Sequence, residues 1–263
     1  LQIIPWSLQE WSSEEHGFVF VGLKQFKILL SNTRFLNSLL RTGFFTVVVV
    51  LGHLFIGGVL AMLLNAKWWP SNWLRNLVRS ILLLPWIFSV AASALIWGAL
   101  YHPIGIFPYV FDQIFGVHVG FLSNPNIALF SVIMVILWRF YPLYMMMLLG
   151  GLESLPEELY DAAKVDGASK IQSFFFITVP LMRSLTFTVI LLDFITTYIH
   201  FDLVWIMTKG GPLRSTYLVS FFLYERGLRT SSFGYASAIS VVVAIIVGIL
   251  MFFYVMTLYK KED

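Results

Sequence analysis

The sequence predicts an all-α protein, a polytopic bundle of helices that crosses a membrane. Of its 263 residues, 59% are hydrophobic and 12% are charged, whereas a soluble domain carries about 25% charged residues. A helix that crosses a bilayer needs about 20 mostly apolar residues. Five stretches of the chain meet this requirement, and they cover residues 42–64, 80–101, 127–149, 185–207 and 234–258.

The charge, the cysteine count and the motifs of the sequence exclude several classes of function. The net charge of +3 is spread along the chain and includes no basic block of the kind that binds nucleic acid. The chain has no cysteine, which excludes disulfides and thiolate metal sites. No HExxH, GxSxG or CxxC motif accompanies the spans, so no enzyme motif is found.

The distribution of Lys and Arg favours a cytoplasmic C-terminus. In that orientation residues 66–79, 150–184 and the tail at 259–263 lie inside, and these segments are denser in basic residues than the outer ones. Short cytoplasmic loops carry such an excess. The loop at 102–126 has neither Lys nor Arg, as expected of an outer loop.

Residues 1–41 are then extracytoplasmic and precede a membrane domain at 42–258. We expect residues 1–17 to be irregular and residues 18–41 to form a helix along the outer membrane interface. The chain begins with Leu1 rather than Met, so we expect that an N-terminal piece is missing.

The segment at 154–180 is charged, punctuated by glycine and placed between two spans. Ser154 and Glu157 fit a capping box, in which each side chain accepts a hydrogen bond from the other's backbone N–H. Gly167 suits the left-handed residue that ends the resulting helix. We expect a second helix at about 168–178, with Pro180 marking the start of the next span.

This segment has the features of a docking surface, although a plain solvated loop is the alternative. Small side chains allow close approach by another protein, and carboxylates offer points of attachment for Arg or Lys. The candidate coupling residues are Glu157, Glu158, Asp161, Ala162, Ala163, Asp166 and Gly167.

The order of residues here resembles the cytoplasmic coupling (EAA) loop of ATP-binding-cassette (ABC) importer permeases. That loop follows E-A-A-x3-G-x9-I-x-x-P, and the chain places Ala162, Ala163, Gly167, Ile177 and Pro180 in register. Asp161 stands where the family has Glu, which keeps the charge on a side chain one methylene shorter. We expect the partner contact to shift slightly in consequence.

Other segments resemble the carbohydrate-uptake branch of this family, the maltose permease-like (MalF-type) branch. They are FDLVWIMTKGGP at 201–212 and FGYASAIS at 233–240. The segment at 20–46 follows the first membrane span in that branch, so we expect the first family span to be absent from this chain.

The resemblance implies the type I ABC importer permease fold and a transport subunit rather than an enzyme. It implies a bacterial or archaeal cytoplasmic membrane and alternating access. The implied partners are an ABC ATPase dimer, a second homologous permease, an extracytoplasmic solute-binding protein and an oligosaccharide. ATP and Mg²⁺ are expected on the ATPase, because this sequence has no GxxxxGK(S/T) phosphate loop. The alternative is a secondary carrier driven by an ion gradient, which would have no use for the coupling segment.

Two ionisable residues lie near the middle of predicted spans. Arg139 and Asp193 would each cost about 2.5–3.5 kcal/mol to insert, so they are functional candidates. Asp193, Thr196, Thr197 and His200 follow the i, i+3, i+4, i+7 spacing of one helix face, which cannot face lipid. Either Arg139 and Asp193 form an ion pair between spans or these side chains form a polar wall for sugar hydroxyls, and the two readings are compatible.

In the maltose permease-like branch, cargo contacts come from the same two spans. The resemblance implies that the cargo contacts in this chain are Asp193, Thr196, Thr197 and His200 on one span. It implies that Arg139, Phe140 and Leu143 face them from the other span. Because a guanidinium binds carboxylates bidentately, we hypothesise an acidic oligosaccharide as cargo. His53 is alone in its span, and we expect it to be a hydrogen-bonded helix contact, since no second metal ligand accompanies it.

Overall fold

The computed structural model describes residues 3–12, 16–230 and 232–259. Long apolar helices dominate this part of the chain, which confirms the predicted all-α membrane fold. The helices are α1 (Ile3–Ser7), α2 (Lys24–Leu30), α3 (Thr33–Asn65), α4 (Asn72–Ile87), α5 (Val90–Leu100), α6 (Ile106–Phe115), α7 (Ala128–Glu153), α8 (Glu157–Val165), α9 (Lys170–Ser173), α10 (Val179–Tyr198), α11 (Asp202–Thr208), α12 (Val219–Tyr224) and α13 (Phe233–Tyr259).

Within the described residues, three helices are long and apolar enough to cross a membrane. They are Thr33–Asn65, Ala128–Glu153 and Lys170–Tyr198, and the bent pair α4 and α5 would make a fourth span. The apolar helix at Phe233–Ile249 is shorter and belongs to α13, which matches the predicted stretch at 234–258. The predicted stretch at 127–149 likewise matches α7.

The N-terminal region differs from the prediction of an irregular segment followed by one helix. Strand β1 (Gln9–Ser12) pairs antiparallel with β2 (Gly17–Phe20). Trp11 and Phe18 lie opposite each other with their rings 5.2 Å apart and edge to face, a cross-strand contact that stabilises a short hairpin. The prediction of one helix over 18–41 was therefore wrong, because its first residues belong to β2 and the others are divided between α2 and α3.

The first long helix begins at Thr33 rather than at residue 42. Asn32 has an extended backbone, and its side chain accepts hydrogen bonds from the N–H groups of Arg34 and Phe35. Asn is among the best N-cap residues because it satisfies donors that have no partner within the helix. This cap separates α2 from α3.

The predicted span at 80–101 is broken. Helices α4 and α5 meet at 91°, where Ser89 caps α5 by accepting from the N–H of Ala92. Pro85 lies in the last turn of α4 and has no N–H to donate to the helix ladder. The proline and the new cap act within four residues of each other, and the chain turns there.

The predicted span at 185–207 is also broken, because its helix ends at Tyr198 and α11 starts at Asp202. Upstream, that helix begins at Lys170 and runs continuously through α9, a π-helical turn at Phe174–Thr178 and α10. In the π turn the N–H of Val179 bonds to the carbonyl of Phe174, five residues back. The wider turn accommodates Pro180, so the proline lies inside the helix instead of starting it.

The capping box was placed at the wrong serine. The hydroxyl of Ser154 donates to the carbonyl of Gly151, so Ser154 closes α7 and does not cap α8. The structure forms a capping box fifteen residues later, between Ser169 and Gln172 at the start of α9. Gly167 has a φ of +79° and follows α8 as the left-handed residue that was predicted.

Helices α3 and α7 pack closely through glycine. A methyl group added at Gly57 would lie 2.9 Å from the backbone nitrogen of Met145, whereas one added at Gly58 would meet nothing nearer than 3.9 Å. Small residues allow such backbone approach in membrane bundles, where packing rather than water drives helix association.

The Gly57→Ala variant should therefore be less stable than the Gly58→Ala variant by about 1–3 kcal/mol, the usual cost of overpacking. Both substitutions raise helix propensity equally, so their difference isolates the helix contact. Thermal unfolding of the two variants in the same lipid nanodiscs measures it. Equal transition midpoints would contradict the close packing of α3 against α7.

Candidate functional site

A buried His–Asp pair joins three helices in the middle of the bundle. Nδ1 of His53, on α3, lies 2.9 Å from Oδ2 of Asp193, on α10, and both side chains are almost completely buried. Nε2 of His53 lies 3.3 Å from the carbonyl oxygen of Ile136, on α7. The hydroxyl of Thr197 donates to the other carboxylate oxygen at 2.9 Å. The expectation that His53 makes a hydrogen-bonded helix contact is confirmed.

Both ring nitrogens of His53 face oxygen atoms, so the imidazole has a hydrogen-bond partner on either side. The carboxylate of Asp193 likewise has a partner at each oxygen. A polar group buried in a lipid-embedded bundle is costly without such partners.

The predicted ion pair between Arg139 and Asp193 is wrong. Asp193 is taken by His53 and Thr197, whereas Arg139 has no carboxylate partner among the described residues. Arg139 is 6% exposed, and its Nε and Nη1 atoms are buried without a hydrogen-bond partner. Its guanidinium lies 5.0 Å from the ring centre of Phe140. A buried charge left in this way is expensive unless a ligand satisfies it.

His200 contacts the same phenylalanine ring as this arginine, and one of its ring nitrogens has no hydrogen-bond partner. It follows the end of α10, and its ring meets that of Phe140 edge to face at 5.7 Å. Nε2 of His200 is buried without a partner. Arg139, Phe140 and His200 thus form a mixed aromatic and polar cluster, which we call the Arg139 cluster.

The predicted polar stripe on one helix face is divided by the structure. Asp193 and Thr197 are buried in the contact with α3, while Thr196 is exposed and donates back to the carbonyl of Leu192. His200 lies beyond the helix, in the break before α11. Leu143 is half-buried and packs against the apolar cluster that Phe140 also borders.

Tyr144 also belongs to this site. Its ring stacks on the His53 imidazole with centres 4.5 Å apart, which helps to fix the imidazole plane. The spacing of Tyr144 and Phe140 along α7 is i, i+4, so both could have been placed on one face. The sequence offered no sign that this face meets His53.

The coupling segment is exposed and tied to the base of the long helix that follows it. The Tyr160 hydroxyl lies 2.8 Å from that of Thr178, which links α8 to the π turn. Val165 is 88% exposed and Ile171 is 71% exposed, so apolar side chains face outward beside the acidic ones. Such exposed apolar groups, ringed by polar residues, are typical of a protein interface.

Two of the four predicted acidic residues of this segment already have basic partners. Glu157 pairs with Lys67 at 2.8 Å, and Asp161 pairs with Lys164 at 2.8 Å, all at the surface. The hydrogen bond from Lys164 lowers the pKa of Asp161 below its usual value. Glu158 and Asp166 form no ion pair within the described part of the chain. Ala162 is exposed and Ala163 half-buried, and a methyl group added at Gly167 would meet nothing within 4 Å.

Comparisons with known proteins identify the family. Residues 53–261 match the family described as the binding-protein-dependent transport system inner membrane component. The chain belongs to this family. It is 32% identical over 232 residues to the trehalose/maltose transport system permease protein MalF of Thermococcus litoralis, covering 87% of this chain and 76% of the relative.

Two further similarities agree with this placement. The chain is 30% identical over 227 residues to the sulfoquinovosyl glycerol transport system permease protein SmoG of Agrobacterium fabrum, covering 85% of this chain and 71% of the relative. A solved structure of a bacterial ABC transporter that imports the acidic polysaccharide alginate superposes with a TM-score of 0.85 at 19% identity, covering 100% of this chain and 90% of that one. These results confirm the predicted permease fold and a transport subunit of an ABC importer.

The described residues hold no group of His, Cys, Asp or Glu that could bind a metal ion. The family description places such proteins in the inner membrane, and the apolar helices fit a multi-pass protein. The relatives are permease proteins of transport systems, so the comparisons lend no support to the alternative of an ion-driven carrier.

The His53–Asp193 contact should appear as energetic coupling. We expect Asp193→Ala and His53→Ala each to destabilise the protein, because each leaves the other partner buried without its hydrogen bond. The double variant should lose less than the sum of the two by about 1–3 kcal/mol. Thermal unfolding of the four proteins in lipid nanodiscs completes the cycle. Additive losses would contradict the pair.

Proposed function

We propose that this chain is the membrane subunit of an ATP-driven importer in the cytoplasmic membrane, and that its cargo is an oligosaccharide with anionic groups. The proposal includes a separate ABC ATPase dimer that binds ATP and Mg²⁺. It also includes a second homologous permease and an extracytoplasmic solute-binding protein that delivers the cargo. The chain itself contributes the membrane path and the surface that receives movement from the ATPase.

The proposal of an anionic cargo rests on the burial of Arg139 without a carboxylate partner. Its guanidinium is buried in a span without a carboxylate partner, while the buried carboxylate on α10 is engaged by His53. A planar fork with free N–H groups suits a carboxylate or a similar oxyanion on the cargo. Burial makes that interaction stronger than it would be in water.

The neighbours of Arg139 suit a sugar ring next to the anionic group. Phe140 offers an apolar ring face, and His200 offers an unused ring nitrogen that can bond a hydroxyl. The names of two relatives, a trehalose/maltose permease and a sulfoquinovosyl glycerol permease, support a sugar as cargo. Asp193 and Thr197 then serve the path indirectly, by fixing α10 against α3, while the Thr196 hydroxyl donates within its own helix.

The coupling segment supports the proposed dependence on a separate ATPase. Helix α8 presents Glu158, Asp161, Ala162 and the apolar Val165 outward. Any push on α8 reaches the helix at Lys170–Tyr198 through the contact of Tyr160 with Thr178. That helix has 29 residues and is therefore about 43 Å long, enough to carry the movement across the bilayer.

The cargo hypothesis is tested with the Arg139→Ala variant in an uptake assay. Uptake of galacturonate oligomers should fall at least about tenfold, because a charge-assisted hydrogen bond of about 1.5–3 kcal/mol is lost. Uptake of neutral maltose oligomers of equal length, through the same variant, is the control and should change little. Unchanged uptake of the uronate oligomers would count against an anionic cargo.

The coupling hypothesis is tested by cross-linking, which is simple because the natural chain has no cysteine. Val165→Cys, on α8, should cross-link to a nucleotide-hydrolysing subunit in native membranes. The matched control is Val117→Cys, which is also exposed but lies in the predicted outer loop, and it should not capture that subunit. Capture of the ATPase from Val117→Cys alone would reverse the orientation, and capture from neither position would refute the proposed docking surface.

A further inference from the structure

A second basic and aromatic pocket lies beside the Gly-Gly-Pro motif, in the loop that follows α11. Its volume is about 350 Å³, which falls within the usual range for small-ligand sites. Four aromatic side chains form its apolar wall, and three basic side chains surround it. The aromatic residues are Trp205, Tyr217, Phe221 and Tyr224, and the basic residues are Lys209, Arg214 and Arg229.

The pocket carries an excess of positive charge. None of its three basic side chains forms an ion pair within the described residues. The single carboxylate in the lining belongs to Glu225, and it accepts a hydrogen bond from the Tyr217 hydroxyl. Arg214 lies over the ring of Tyr217 at 5.6 Å. Like charges gathered around one concave site attract an anion.

The loop beside the pocket has an unusual backbone shape. Lys209, Leu213 and Arg214 have positive φ values of 50°, 47° and 63°, a conformation that costs roughly 1–2 kcal/mol for each residue with a side chain. Thr208 and Thr216 fasten the loop through a hydroxyl contact of 2.7 Å. Strain maintained in this way is common at binding sites.

The pocket and the Arg139 cluster border the same apolar core. Phe140, from the cluster, and Phe201 and Trp205 all pack against that core. Phe201 stacks on Trp205 at 5.3 Å, and Tyr224 lies 4.9 Å from Trp205. Phe201 directly follows His200, a member of the Arg139 cluster.

We propose that this pocket is an entry subsite that binds an anionic group of the cargo before the cargo reaches Arg139. This inference rests on the proposed function and on the predicted outer location of residues 208–232. The recognised chemistry is a carboxylate or similar oxyanion attached to a ring or chain that can lie against aromatic faces. An anionic lipid headgroup has the same chemistry, so the test must separate the two sources.

The test measures binding of radiolabelled trigalacturonate by equilibrium dialysis to the transporter purified with its partner subunits. Nanodiscs of purely zwitterionic lipid exclude anionic headgroups, and an Arg139→Ala background removes the deeper site. In that background the double variant Arg214→Gln/Arg229→Gln should bind the probe at least about tenfold more weakly. The matched control is Arg34→Gln, which removes an exposed arginine of the same predicted side without a role in the pocket.

Each remaining outcome decides the proposal. If the double variant fails to fold, Arg229→Glu replaces it, because this variant changes only an exposed side chain at the pocket rim. Arg229→Glu should weaken binding of the probe as strongly as is expected of the double variant. Equal binding by all variants, or no binding of the probe in the Arg139→Ala background, overturns the entry subsite. Displacement of the probe by phosphatidylglycerol in the nanodisc assigns the pocket to lipid and also overturns it. If Arg139→Ala loses uronate uptake but the pocket variants bind the probe as well as their control, the proposed function stands and the entry subsite is refuted.

Discussion

The structure depends on the way in which a lipid-embedded bundle satisfies its buried polar groups. Water is absent from the bilayer core, so each donor and acceptor there needs a partner within the protein. The pair of His53 and Asp193 meets this need together with the carbonyl of Ile136 and the hydroxyl of Thr197. The two contacts of His53 fix α3, α7 and α10 relative to one another.

The exceptions to that rule define the candidate path for cargo. Arg139 and His200 keep buried nitrogen atoms without partners, although Asp193 lies in the same bundle and could have neutralised a cation. The structure gives that carboxylate to His53 instead. A buried guanidinium without a partner is costly to the folded protein, and under the proposed function an anionic cargo offsets that cost when it binds. The His53–Asp193 pair stabilises the bundle, whereas the Arg139 cluster keeps polar groups that a ligand can bind.

The sequence predicted the features that depend on local pattern and length. Apolar stretches located the long helices, and Gly167 was correctly placed as a left-handed residue. Ser154 was misplaced because a serine can end one helix as readily as it begins the next. The partner of Asp193 was also missed. Composition indicates which residues are ionisable, but the choice between His53 and Arg139 depends on how α3 and α7 cross α10, and helix spacing along the chain does not determine this.

The same limits explain the route by which movement would pass from the coupling segment to the path. The predicted short helix at 168–178 would have been a separate element joined to its span at Pro180. The structure instead absorbs the proline in a π turn and continues one helix from Lys170 to Tyr198. Tyr160 contacts Thr178 near the first end of this helix, and His53 contacts Asp193 near the other end. A displacement of α8 must therefore either tilt α3 and α7 together with this helix or break the His53–Asp193 contact. Because that contact is buried, breaking it would leave polar groups without partners. Tilting the three helices as a unit is therefore the cheaper response, and it would move Arg139 on α7 together with Asp193.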